Sequence, residues 1–198
     1  MTSPFEQRPI VVAVAGPNGA GKTTFHAAHL APVGLRFVNA DELARELGLA
    51  PYDAAEVAGT VREALLAQGE SFVFETVFSD PVGDKVGLLQ RAQSAGYTVV
   101  LCFVGLASAE LSDERVAMRV LQGGHDVPTD KLVARFQRSL DNLRRAIRAL
   151  PHVLVYDNSD LAQPFRKVAE FEDGKAVELA SPLPRWVPWK ATRRTRRR

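Results

Sequence analysis

The chain has 198 residues, enough for one α/β domain with a short appendage. Its 46% hydrophobic and 24% charged residues exclude a disordered or fibrous protein, and a single cysteine excludes an internal disulfide framework or a multi-cysteine zinc site. The net charge of +2 is unevenly spread: five arginines crowd into residues 193–198, so the chain before them holds 20 basic against 23 acidic groups.

The opening Met-Thr-Ser-Pro-Phe-Glu-Gln-Arg lacks the charged-then-apolar order of a secretory signal. No apolar run reaches the ~20 residues a membrane helix needs, so a cytoplasmic location away from membranes is expected. Ile10–Ala15 is a continuous apolar run ending at glycine, as in a strand buried on both faces. A helix is predicted over 22–30, a second strand over Leu35–Ala40, and helices over 41–47 and 53–68. Ser71–Glu75 reads as a third strand, 82–95 as a helix and Tyr97–Val104 as a fourth strand. Helices over 108–122 and 129–150 precede a fifth strand, His152–Tyr156. This alternation predicts an α/β fold, a parallel sheet with helices on both faces.

In the last long helix Leu132, Val133, Phe136, Leu140, Leu143, Ile147 and Leu150 form one apolar stripe, and Arg135, Arg138, Arg145 and Arg148 take the other side. Beyond Asp157, Phe165–Phe171 and Ala176–Ala180 flank an Asp173-Gly174 turn, the pattern of a small C-terminal β-hairpin. Residues 181–190 contain three prolines and two tryptophans; no regular element is expected there, and the tryptophans should pin the segment to the body. The basic tail fits either a solvated end or a contact to nucleic acid or anionic lipid.

The strongest motif is Gly16, Pro17, Asn18, Gly19, Ala20, Gly21, Lys22, Thr23 and Thr24, which matches G-x-x-x-x-G-K-[ST] directly after the first strand. Glycines let successive backbone N–H groups turn inward around phosphate oxygens, and the helix that follows adds its positive end. Lys22 supplies a charge for the β- and γ-phosphates, and the Thr23 hydroxyl can ligate Mg²⁺. ATPases, GTPases and kinases share this loop. A chain this short has no room for motor domains, and it carries no Asn-Lys-x-Asp guanine-reading motif, so a kinase is the first expectation.

A kinase acting on a hydroxyl needs a carboxylate beside the acceptor oxygen. Asp41 follows the second strand, on the side of a parallel sheet that faces ligands; it fits either that role or the cap of the next helix. Glu75 ends the third strand, before Thr76, and fits a position beside metal or substrate or an exposed strand end. Positive charge over the γ-phosphate is available from Arg115 and Arg119, one turn apart, and from Arg135 and Arg138 on the next helix. The Gly123-Gly124-His125 connection between them suits a mobile lid, in which His125 could meet a phosphate. His26 and His29 lack a third metal ligand, and Cys102 reads as a small buried hydrophobe.

Gly-Pro-Asn-Gly-Ala-Gly-Lys-Thr-Thr, Phe-Val-Asn-Ala-Asp-Glu-Leu-Ala, Phe-Val-Phe-Glu-Thr-Val-Phe-Ser, Glu-Arg-Val-Ala-Met-Arg-Val-Leu-Gln-Gly-Gly-His-Asp-Val-Pro and Tyr-Asp-Asn-Ser, in this order across roughly 10–159, resemble the zeta-toxin-like P-loop kinases, in particular their compact bacterial branch. The resemblance implies a nucleotide-kinase-like fold with a five-stranded parallel sheet. The residues themselves suggest a domain over 1–180 with a helical lid at about 108–140, and a Pro/Trp-rich and Arg-rich extension over 181–198. The resemblance also implies ATP and Mg²⁺ as cofactors and transfer of phosphate to a small-molecule hydroxyl, such as one on UDP-N-acetylglucosamine. By the same resemblance Lys22 and Thr23 are phosphate-loop residues, Asp41 the catalytic base, Glu75 and Thr76 face substrate, and Arg119 stabilises the transferring phosphate. An antitoxin-like protein partner is a further implication. The toxins' Gly-Asp-x-Phe-Arg-x-x-His-Pro-x-Tyr segment is shorter here, with Pro51-Tyr52 as its one echo. Two alternatives stand beside this reading: a nucleic-acid end kinase or nucleic-acid-associated ATPase using the arginine tail, and a non-catalytic ATP-binding module.

Overall fold

A computed structural model describes residues 3–121 and 129–189. Seven strands form one mixed sheet: β1 (Ile10–Ala15), β2 (Arg36–Val38), β3 (Phe72–Thr76), β4 (Thr98–Gly105), β5 (His152–Asp157), β6 (Arg166–Glu172) and β7 (Lys175–Leu179). Their spatial order is β2-β3-β1-β4-β5-β6-β7. The first five are parallel, as the alternation of elements predicts. The helices are α1 (Lys22–Phe25), α2 (Ala40–Leu47), α3 (Pro51–Ala67), α4 (Asp84–Ser94), α5 (Ala109–Leu121) and α6 (Thr129–Ala149). The helix predicted over 22–30 is α-helical only to Phe25 and continues as a π-helical turn over His26–Leu30.

Two features differ from expectation. The sheet has seven strands rather than five, because the C-terminal hairpin extends it: β6 pairs antiparallel with β5, and β7 with β6. The physical reason is burial. A lone two-stranded hairpin is marginal in water, whereas β6 on the edge of β5 buries Val168, Ala169 and Phe171. The second strand is also shorter than predicted, since Asn39 already caps α2.

Side chains alternate across each strand, so β1 feeds two core layers. Val11, Ala13 and Ala15 pack with Phe72, Phe74, Leu101, Phe103, Leu143 and Ile147 on one face; Ile10, Val12 and Val14 pack with Phe25, Val73, Val100 and Cys102 on the other. The parallel register aligns the carboxyl ends of the central strands: Val14 lies opposite Glu75, Ala15 opposite Thr76, and Ala15 opposite Phe103 on the other side. The loop after β1 therefore emerges beside Glu75.

The proline-rich extension is held by its tryptophans. Trp186 is buried against Gly105, where an added Cβ would lie 2.1 Å from the indole, and Trp189 packs on Phe171 with ring centroids 4.8 Å apart. The arginine tail lies outside the described residues, and so does its expected contact to nucleic acid. No helix among the described residues is long and apolar enough to cross a membrane.

Candidate phosphoryl-transfer site

The phosphate loop begins where β1 stops. Gly16 has φ 146°, and a Cβ there would sit 2.0 Å from the Val104 carbonyl oxygen of β4, so the loop leaves the sheet through a gap that admits no side chain. Gly19, with φ 70°, faces α5 in the same way: a Cβ would come within 2.9 Å of Ser112 O. Two distant side chains then fix the loop's carbonyls. Ser112 Oγ donates to Asn18 O at 2.6 Å, and Asn158 Nδ2 donates to Ala20 O at 2.9 Å while its Oδ1 accepts from Phe165 N at 3.3 Å. Asn158 is buried, so Asn158→Ala strands the buried Ala20 carbonyl away from water and leaves Phe165 N–H without its partner. It should lower stability by about 1–3 kcal/mol, read as a lower midpoint in denaturant at unchanged slope.

Lys22 and Thr23 open α1. The Lys22 ammonium is buried, donates to Pro17 O at 3.1 Å and lies 3.8 Å from Glu75 Oε1. Burial pulls its pKa below the ordinary lysine value, against the opposing pull of Glu75 and Asp41, and the positive charge of Arg119 lowers it further. Glu75 is the hub of the cluster: its Oε2 accepts from Thr23 Oγ1 at 2.8 Å and from Asn39 Nδ2 at 3.1 Å. Asp41 lies exposed on the first turn of α2. The cap of that helix is Asn39, whose Oδ1 accepts from Asp41 N at 2.8 Å. The Asp41 carboxylate is thus free of capping duty, and it lies near enough to Lys22 to act on its charge.

Of the two readings of Glu75, the structure fits placement beside the phosphate loop; of the two for Asp41, the cap is excluded. Gly16 to Ala20 form the cradle, Gly21 sits at the helix cap with φ 85°, and Thr24 lies exposed on the first turn of α1. The Asn18 Oδ1 atom is buried and has no hydrogen-bond partner among the described residues, so the cradle holds an unused acceptor.

The arginines divide. Arg119, on α5, is exposed and within electrostatic range of Lys22. Arg115, one turn earlier, is half-buried and donates to Ser159 O at 3.2 Å; burial lowers its pKa, opposed by Asp157. Arg115 therefore ties α5 to the segment after β5. Arg138 has a similar anchoring role, because its Nε donates to Ser79 O at 2.8 Å. Ser139 donates to Val77 O, and Asn142 to the carbonyls of Phe78 and Asp80, so α6 grips the whole β3–α4 loop. Within that loop Thr76 Oγ1 accepts from Phe78 N at 3.0 Å, and buried Phe78 has φ 61°, rare for a side chain of its size. Arg135 is half-buried on α6, with no hydrogen bond or ion pair among the described residues. His125 lies outside the described residues.

The composition of the cluster fits Mg²⁺: a hydroxyl and a carboxylate oxygen side by side are hard oxygen donors, and Mg²⁺ takes few protein ligands when phosphates supply the rest. No group of three or more His, Cys, Asp or Glu side chains among the described residues could hold a metal. His29 packs against Phe25 and Phe165, and His26 stacks on Phe37 at 3.6 Å. Burial pushes the Cys102 thiol up to about 12, so it is an inert core group, as the sequence predicts.

The sequence reading passes over Asn39, Ser112 and Asn158 as functional residues. Asn39 carries a local signal, an asparagine two residues before an acid at a strand end. Asn158 sits in the Tyr-Asp-Asn-Ser string, but its partner is 138 residues away.

The family model for zeta toxin matches residues 1–168. No curated protein matches the chain in sequence. Among solved structures, a candidate kinase from Chloroflexus aurantiacus J-10-fl is 22% identical with TM-score 0.58, and the match covers 80% of this chain and 90% of that one. The PezAT chromosomal toxin–antitoxin system of Streptococcus pneumoniae gives TM-score 0.64 at 17% identity, covering 94% of this chain and 81% of that one. The AvrRxo1-ORF1:-ORF2 complex with ATP gives 0.65 at 18% identity, covering 94% and 66%. At these identities the likenesses establish a shared fold.

Proposed function

Since the chain belongs to the zeta toxin family and is a P-loop kinase by family and fold, we propose that it transfers the γ-phosphate of ATP to a hydroxyl of a small molecule. The observation that carries this reading is the convergence of Lys22, Thr23 and Glu75 at the end of β1, with Asp41 and Arg119 both acting on the Lys22 charge.

In this reading the loop amides of 16–23 hold the phosphate oxygens, and Lys22 neutralises charge that develops between the β- and γ-phosphates. Thr23 and Glu75 hold Mg²⁺, which when bound screens the phosphate charge and orients the chain of oxygens. Asp41 accepts the proton of the acceptor hydroxyl as that oxygen bonds to the γ-phosphorus. The bond to the β–γ bridging oxygen breaks, and ADP leaves with the electron pair. Arg119 shares the charge of the transferring group. Arg115 is a positioning residue, holding α5 over the loop through Ser159. Thr76 and Arg135, with His125, are assigned to the acceptor side of the pocket.

The acceptor class is a small-molecule alcohol, with a UDP-sugar such as UDP-N-acetylglucosamine as one candidate. A neutralising protein partner is proposed as well, because one structural neighbour is a toxin–antitoxin system. Incubation with γ-labelled ATP and fractionated metabolites, sugar nucleotides included, should move label into an organic product. Removal of Mg²⁺ by a chelator should abolish that transfer. Label found solely in inorganic phosphate across every fraction would refute the kinase assignment and leave an ATPase.

A further inference from the structure

Across the sheet from the phosphate loop, α3 and the start of α4 enclose a cleft of about 490 Å³. Its floor is marked by Arg62, whose guanidinium lies 5.3 Å from the centroid of the Phe74 ring. Phe74 precedes Glu75 on β3, so their side chains leave opposite faces of the sheet, and the cleft is separate from the Lys22–Thr23–Glu75 cluster.

Arg62 is 7% exposed, yet it makes no hydrogen bond and no ion pair among the described residues. The nearest acid along the chain, Glu63, gives its carboxylate to Arg91 at 2.6 Å. A guanidinium carries five donors and cannot shed its proton in a protein; the Arg62 nitrogens keep contact with the solvent of the cleft, so these donors are open to a ligand there. The walls are open where the cations point: a Cβ on Gly59 would stand 3.6 Å from Arg62 Nη2, and one on Gly87 4.0 Å from Arg91 Nη1. Lys85 also lines the cleft, and Asp84 is the one acid there besides Glu63. Gly83 begins α4, whose first amide, Asp84 N, already donates to the Asp80 carboxylate, so the cations rather than that helix end are what the cleft offers an anion.

We infer that this cleft is a second anion site, which binds a small oxyanion, a phosphate monoester or carboxylate, on the fork of Arg62 with Lys85 at its rim. It is independent of the nucleotide cradle.

The test uses the full chain with its phosphate loop saturated by a non-hydrolysable ATP analogue and Mg²⁺. Inorganic phosphate, and separately acetate, is titrated at constant ionic strength while the backbone amide resonances are followed by NMR. The amides of Gly59, Gly83 and Gly87 should shift along a saturable curve, with phosphate binding tighter if the natural ligand is a phosphate monoester and acetate if it is a carboxylate. Arg62→Met, which keeps length and apolar contact with Phe74, should weaken that binding at least about tenfold, as loss of a charge-assisted pair does. Lys85→Met, at a half-buried rim position, should weaken it about threefold by loss of one rim charge, and it decides the matter if Arg62→Met fails to fold. Glycine amides that do not move in the wild-type chain, or that move with equal affinity in a folded Arg62→Met or in Lys85→Met, would overturn the inference.

Discussion

Asp41→Asn should lower the rate of phosphate transfer by about 10²–10⁴-fold, the range associated with a general base, while ATP affinity stays within a few-fold of wild type. The split follows from where the carboxylate sits. Capping of α2 is done by Asn39, so the amide substitution leaves the capping bond in place. Asp41 is exposed and acts on Lys22 through space rather than through a hydrogen bond, so the network of Lys22, Thr23, Asn39 and Glu75 survives it. What the asparagine lacks is the ability to take the acceptor's proton. Rapid-quench product formation beside equilibrium binding of a labelled ATP analogue measures both halves. A variant that still forms product at the wild-type rate would remove Asp41 from the role of base, whatever its effect on binding.

Lys22→Met should act on both halves at once, with turnover reduced about 10²–10³-fold and ATP affinity weakened at least about tenfold. The ammonium is one of two buried cations among the described residues, the other being Arg62 across the sheet. Its loss leaves the Glu75 carboxylate without its cation, 3.8 Å away in the native chain, and facing the incoming phosphates. Two like charges then meet in a site where burial keeps solvent screening low. Lys22→Arg should fail to rescue, because the guanidinium is larger than the ammonium that reaches Pro17 O, and it spreads its charge over a fork that the loop has no room to accept. Titration of ATP binding by calorimetry against each variant, with single-turnover transfer, separates the two contributions. Wild-type affinity in Lys22→Met would show that the ammonium does not meet the phosphates.

The parts of this molecule that lie close in sequence were legible from it. An apolar hexad, a glycine loop and Lys-Thr occupy one stretch of chain, and each signal constrains the next, so β1, the cradle and α1 could be placed together. Asp41 and Glu75 could be singled out because one follows and the other lies at the end of a strand of a parallel sheet, where topology delivers side chains to one crevice. What could not be read depended on pairing between distant segments. The hairpin was legible as a turn, but its docking onto β5 is set by the burial of Phe171 and Ala169, which no local pattern encodes. Arg138 looked like a lid cation because charge is visible in sequence and its carbonyl partner, Ser79 O, is not. The same blindness hid Ser112 and Asn158, small polar side chains whose meaning comes from main-chain atoms far away in the chain. After α1, the change to a π-helical turn at His26 leaves no trace in the apolar spacing.

The bracing of the loop at Val104, Ser112 and Asn158 has a thermodynamic consequence for the catalytic cycle. A glycine-rich segment left to itself would lose much conformational freedom each time a nucleotide arrived, and regain it on each departure. Here β4, α5 and the turn after β5 brace the backbone through contacts that the chain supplies itself. Association therefore carries little ordering penalty, and ADP can leave without the loop melting. Successive turnovers can begin from the same template, ready for the next triphosphate.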